Sequence, residues 1–119
     1  MTPPATEFNI PILPPSANRL WRIGNGRIYK SDEYKRWLND MGYIVQGQRP
    51  RPIEGPYKLI VNILRPHTTR DLDNCIKPIN DLLANIGIVR NDRDCECLNV
   101  RWLSNAQGMN VRVERAGLG

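Results

Sequence analysis

The chain has few of the features that mark a secreted, membrane-bound or modular protein. Its three cysteines, Cys75, Cys95 and Cys97, are an odd number, which argues against a closed disulfide framework and for a reduced, cytoplasmic setting. No apolar run approaches the ~18 residues of a membrane-spanning helix, so no membrane partner is expected. The opening MTPPATEF carries neither the charged nor the apolar segment of an export signal. With His67 the cysteines could complete a Cys3His set, but the four spread over about thirty positions and Cys-x-Cys is not the usual zinc spacing. They read as small core or surface thiols. Internal repeats and low-complexity tracts are also lacking. A length of 119 residues fits one domain, 1–119 with 1–6 loose, and leaves no room for a half that binds a small-molecule cofactor.

Acid is scarce too, and unevenly placed. The chain holds 17 Lys and Arg against 12 Asp and Glu, a net charge of +5 with a pI near 9.4. Six of those acids, Asp71, Asp73, Asp81, Asp92, Asp94 and Glu96, fall within 71–96 beside only three bases, leaving fourteen bases against six acids elsewhere. A surface of that sign attracts polyanions, and nucleic acid is the commonest functional one. The local acidic surplus needs a separate cause.

The pattern of elements predicts an α+β fold, a small mixed sheet with two helices. FNIPIL alternates like a strand and PPSAN breaks it. WRIGNGRIY reads as a hairpin around Gly24, Asn25 and Gly26, with Arg22 and Arg27 on its exposed side. Ser31 suits an N-cap, Asp32 and Glu33 suit the positive end of the helix dipole, and Tyr34, Trp37, Leu38, Met41, Ile44 and Val45 recur at helical spacing. After the linker QRPRPIEGP, YKLIVNILRP is a β-rich run ended by Pro66. A second helix carries Ile76, Ile79, Leu82, Leu83 and Ile86 on one stripe and stops at Gly87. Pro78 must lie in its first turn, so the helix does not begin much before Asn74 and Asp73 is close to the N-cap. NDRD is a turn. ECLNVRWL and MNVRVER then read as an antiparallel hairpin joined by SNAQG, with Val100 and Trp102 on one face.

The acids surround that second helix. If the preceding strand continues extended, period-two geometry sends Asp71 and Asp73 to one side. Adjacent carboxylates repel unless a cation sits between them, and carboxylate oxygens suit Mg2+ or Mn2+. Capping by Asp73 and an i,i+4 pair with Lys77 would account for those two residues, but not for Asp71 or the later cluster. A third carboxylate, Asp92 or Asp94, reaches the pair only if the turn after the helix returns to it. Such a site beside a backbone phosphate would activate water and offset charge on the phosphoryl oxygens, with Lys77 on the same face. The competing reading is a non-catalytic, structure-selective DNA-binding protein. A nucleotide-sugar transferase using Asp-x-Asp would need far more chain.

These residues carry a resemblance. LPPSANRLWR, GRIYKSDEYKRW, RDLDNCIKPINDLL and GIVRNDRD together resemble the RusA family of Holliday junction resolvases, over nearly the whole chain. The resemblance implies a compact homodimer, bacterial or prophage-encoded, that nicks a four-way DNA junction in pairs in recombination and repair. It implies Asp71, Asp73 and Asp92 as metal ligands, Lys77 as the basic catalytic partner, and Mg2+ dependence with Mn2+ as a substitute. Where the family commonly shows adjacent acids, this chain has Asn91-Asp92 followed by Asp94, which keeps both open as the third acid. Arg19, Arg27, Lys30 and Arg70 are candidates for DNA phosphate contacts, with Ser16 and Asn18 beside them. Trp21 is placed to stack on bases at an opened crossover, whereas Trp37 belongs to the helix stripe and the core.

Overall fold

The computed structural model describes residues 4–64, 75–103 and 108–116. Four strands form a mixed sheet in the order β1-β6-β4-β5, comprising β1 (Ala5–Ile10), β6 (Met109–Arg115), β4 (Tyr57–Leu64) and β5 (Cys95–Leu103). β4 runs parallel to β5, and the remaining pairings are antiparallel. Two short strands, β2 (Trp21–Gly24) and β3 (Arg27–Lys30), make a separate hairpin. The α+β order expected from the sequence holds, with helices α1 (Asp32–Gly47) and α2 (Ile76–Asn85).

β4 explains the core most directly. Tyr57, Leu59, Val61 and Ile63 are all fully buried, and the residues between them are half-buried, as alternation on a central strand requires. β6 meets them with Met109, Val111 and Val113, and β1 with Phe8 and Ile10, all buried. These side chains and the apolar faces of both helices form one cluster.

The C-terminal hairpin expected from the sequence is not formed. β6 lies between β1 and β4, while β5 pairs on the far side of β4. Burial gives the reason: Met109, Val111 and Val113 of β6 are fully buried, which suits a strand with a neighbour on each edge, whereas β5 is largely exposed and takes an edge. A parallel β4–β5 pair needs a crossover rather than a tight turn, and α2 supplies the helical part of it. Val100 and Trp102 do share one half-buried face, opposite Val61 and Ile63. A bulge at the start of the pair sets Tyr57 against Cys95 and Lys58 against Cys97, leaving Glu96 as the extra residue.

The limits of β1 and the buried face of α1 also differ. Strand β1 opens at Ala5, in register with Glu114, so residues 5 and 6 are tied into the sheet rather than loose. It ends before Pro11, which has no N–H to give to a ladder. In α1, Ser31 caps as expected, its Oγ accepting from the Tyr34 N–H at 3.1 Å, but Ile44 is 41% exposed and Gly42 takes a place on the buried face. A side chain at 42 would put its Cβ 3.3 Å from Ile86 Cγ2, so glycine here lets the two helices approach. The Gln48 side chain after α1 then pairs with the backbone of Asn9, its amide oxygen accepting at 2.9 Å and its nitrogen donating at 2.7 Å. In α2, Pro78 falls in the first turn as required and Cys75 occupies the cap position; Asp73, expected close to it, lies outside the described residues. No described helix is long and apolar enough to cross a membrane.

Candidate active site

Lys77 projects from the first turn of α2, and its ammonium meets two carboxylates. Nζ lies 2.9 Å from Asp81 Oδ1, one helical turn on, and 3.1 Å from Asp92 Oδ2. The second contact depends on how the chain leaves α2. Gly87, at φ +80°, adopts the left-handed conformation that ends the helix, and the N–H groups of Ile88 and Val89 return to the Leu83 carbonyl. Both side chains are buried, which anchors the reversal, and the Ile88 carbonyl accepts from Ile53 N–H at 2.7 Å. Asn91 Oδ1 then caps the next turn by accepting from Arg93 N–H at 3.0 Å. Asp92 opens that 3-10 turn, Asp92–Asp94, facing back toward Lys77.

A second layer supports this cluster. Tyr34 of α1 is fully buried, and its hydroxyl donates to Asp81 Oδ2. The Tyr57 hydroxyl, at the start of β4, donates to Asn80 Oδ1 at 2.6 Å. Burial, then the hydrogen bond to Asp81 and its charge, pushes the Tyr34 phenol far above the ordinary tyrosine range. Tyr57 is pushed up chiefly by burial, then by the neighbouring Cys95, Asp92 and Asp94 side chains. Both therefore remain donors. Lys77 is held above the usual lysine value mainly by the bond to Asp81, against an opposing contribution from burial, so it stays an ammonium. Burial raises the Cys95 thiol, which disfavours a thiolate there.

Trp21 joins the basic hairpin to the same cluster. Its ring meets Tyr34 edge-on with centroids 5.7 Å apart, and Lys30 Nζ lies 6.0 Å from the Trp21 centroid. Trp21 is 38% exposed. Trp37 is buried, as the helix stripe predicts, and its Nε1 donates to the Ile12 carbonyl. Of the candidate phosphate contacts, Arg27 and Asn18 are exposed and Ser16 and Lys30 half-buried. Arg19 is exposed but engaged with Glu33 at 2.9 Å. Arg70, Asp71 and Asp73 lie outside the described residues, as does His67. Among the described residues no three His, Cys, Asp or Glu side chains gather closely enough to hold a metal ion.

The structure thus brings Lys77 and Asp92 together, whereas no described contact joins Asp94 to Lys77. Reading the sequence missed Asp81, Tyr34 and the Tyr57–Asn80 pair. Asp81 had a signal, since it stands at i+4 from Lys77, but the same spacing in the other direction pointed to Asp73. Tyr34 had none, because it arrives from another helix.

Two carboxylates converge on the Lys77 ammonium, and Trp21 links this cluster to a hairpin carrying Arg22, Arg27 and Lys30, a charge arrangement consistent with the class of proteins that act on phosphodiesters. Comparison with known proteins narrows this class. The family model described as "Endodeoxyribonuclease RusA" matches residues 11–114, and this chain belongs to that family: it is an endodeoxyribonuclease, a hydrolase of DNA phosphodiester bonds. Among curated proteins, it is similar to the crossover junction endodeoxyribonuclease rusA of Enterobacteria phage HK97, 27% identical over 115 residues that cover 94% of this chain and 90% of that one.

Proposed function

We propose that this chain resolves four-way DNA junctions as a homodimer, using a divalent metal held by Asp71, Asp73 and Asp92 and a catalytic ammonium on Lys77. The observation that carries the reading is the 3.1 Å contact between Lys77 and Asp92, because it brings the start of α2 and the turn after it to one place. The donor set suits a hard cation: carboxylate oxygens are the ligands Mg2+ and Mn2+ prefer. Asp92 is 42% exposed, which leaves it open to an ion and to a phosphate. A bound divalent ion supplies an acidified water and positive charge opposite the phosphoryl oxygens. Lys77, fixed as an ammonium, orients the scissile phosphate or steadies the departing oxygen. Arg19, Arg27, Lys30 and Arg70, with Ser16 and Asn18, hold the backbone. Two protomers about a two-fold axis would present two such sites to the symmetric arms of a junction, in a bacterial or prophage setting in the cytoplasm.

The test is cleavage of a synthetic four-way junction in Mg2+, in Mn2+ and in EDTA, with Asp71→Asn and Asp73→Asn alongside. Metal-dependent paired nicking is expected from the native protein, and loss of nicking with retained junction binding from each variant. Binding without metal-dependent nicking by the native protein would replace this reading with that of a non-catalytic DNA-binding protein. Undiminished nicking by either variant would remove the assigned metal site.

A further inference from the structure

We propose that Asp81, itself held by Tyr34, is a positioning residue that aims the Lys77 ammonium at the reacting phosphate. This rests on the function proposed for Lys77 and extends it to two residues outside the expected set. The division of labour on Asp81 is the starting point. Its Oδ2 accepts from the Tyr34 hydroxyl and its Oδ1 meets Lys77 Nζ at 2.9 Å, so rotation of the carboxylate would break one bond or the other. The Asp81 side chain is only 14% exposed. Removing a carboxylate from water is costly unless it is well paired, and a site that needed only packing against Tyr34 would be served by an apolar residue.

Tyr34 is a rigid support for that carboxylate. It is fully buried, its ring meeting Trp21 edge-on with centroids 5.7 Å apart and stacking with Trp37 at 6.4 Å between centroids. Its main chain is fixed as well, because its N–H is the one capped by Ser31. Rigidity thus passes from the core through a phenol and a carboxylate to a long, exposed side chain. Lysine has a flexible four-carbon stem, and the Lys77 side chain is 56% exposed, so without a partner it would sample many directions. Asp92 also touches the ammonium, but in the proposed function it has a second duty as a metal ligand. Asp81 has no such duty and is the constant partner.

A group acting through another must show itself in turnover and not in binding, and only while that other group is present. Asp81→Asn keeps the shape and a partner for Tyr34 but loses the charge that holds the ammonium. Its single-turnover kcat on a four-way junction in Mg2+ is expected to fall about 10- to 100-fold, the scale on which small misplacements act, with junction Kd changed less than about two-fold. Tyr34→Phe, which deletes one hydroxyl, is expected to lower kcat about 3- to 10-fold. In a Lys77→Ala background neither change should lower kcat further. Asp81→Glu should restore part of the loss. If Asp81→Asn melts below the assay temperature, Tyr34→Phe and its double variant with Lys77→Ala decide the matter on the same criteria.

Native turnover by Asp81→Asn and Tyr34→Phe would overturn the proposal while leaving the function of Lys77 intact. So would an undiminished further loss in the Lys77→Ala background, which would place their action elsewhere. Native turnover by Lys77→Ala itself would instead strike the proposed function, and the two failures are therefore distinguishable.

Discussion

Replacing Lys77 by methionine removes the ammonium and keeps most of the stem, and the structure allows its two effects to be sized separately. The Lys77–Asp92 pair, 3.1 Å long with side chains 56% and 42% exposed, is solvated on both sides and contributes less than about 1 kcal/mol. The contact with Asp81 is stronger because that carboxylate is mostly shielded, yet Asp81 keeps its bond from Tyr34 after the change. We expect about 1–2 kcal/mol of lost stability in all, a fall in Tm of several degrees for a domain of this size. If Lys77 acts on charge that develops during phosphodiester cleavage, the loss in rate is larger, about 10²- to 10³-fold or about 3–4 kcal/mol. The assay is single-turnover nicking of a four-way junction at saturating protein, below the melting range of both proteins, with junction affinity measured in parallel. A rate reduced less than about ten-fold would refute a catalytic ammonium.

Other outcomes follow from the packing and the charges. Gly108→Ala should cost about 2–4 kcal/mol, because at φ +68° a new Cβ would stand 2.3 Å from the Ile10 carbonyl oxygen and 2.8 Å from Pro11 backbone atoms. Gly55→Ala, also left-handed but with nothing within 4 Å, should cost about 1 kcal/mol; equal urea midpoints for the two variants would contradict the placement of β6 beside β1. Alkali should destabilise the fold, since the folded chain keeps the protons of Tyr34 and Tyr57 that an unfolded chain releases near pH ~10. That stability is full below pH ~10 and is lost as pH rises, by about 1 kcal/mol per tyrosine at pH ~11, and Tyr34→Phe should reduce the loss seen in urea midpoints across that range. Junction affinity should fall steeply with salt, as counterion release requires; a flat profile would contradict binding through the basic surface.

Local signals proved sufficient where the interaction itself is local. Ser31 caps a turn three residues away, the Asn25–Gly26 turn joins the two four-residue strands of a hairpin, and Pro78 confines the start of α2 by its own ring. Ile44 fits the same helical spacing yet points outward, because α2 approaches α1 at Gly42 and so decides which flank of the stripe is covered. The site divides in the same way. Lys77 and its acidic surroundings stand in the sequence, and Asp81 stands one turn away. Nothing nearby in the sequence announces Tyr34 as the partner of Asp81, 47 positions distant.

What the amino-acid sequence determined by itself was the order of elements, the basic character of the surface, and the acidic block that carries the family resemblance. Each follows from composition or from contacts a few residues apart. The tertiary structure alone decided that β6 lies between β1 and β4, that Asp92 returns to Lys77, and that a phenol from α1 holds the carboxylate beside them. Strand partners and side-chain neighbours are chosen by burial shared among distant segments, and an alternating or helical pattern marks which face must be covered without saying by what.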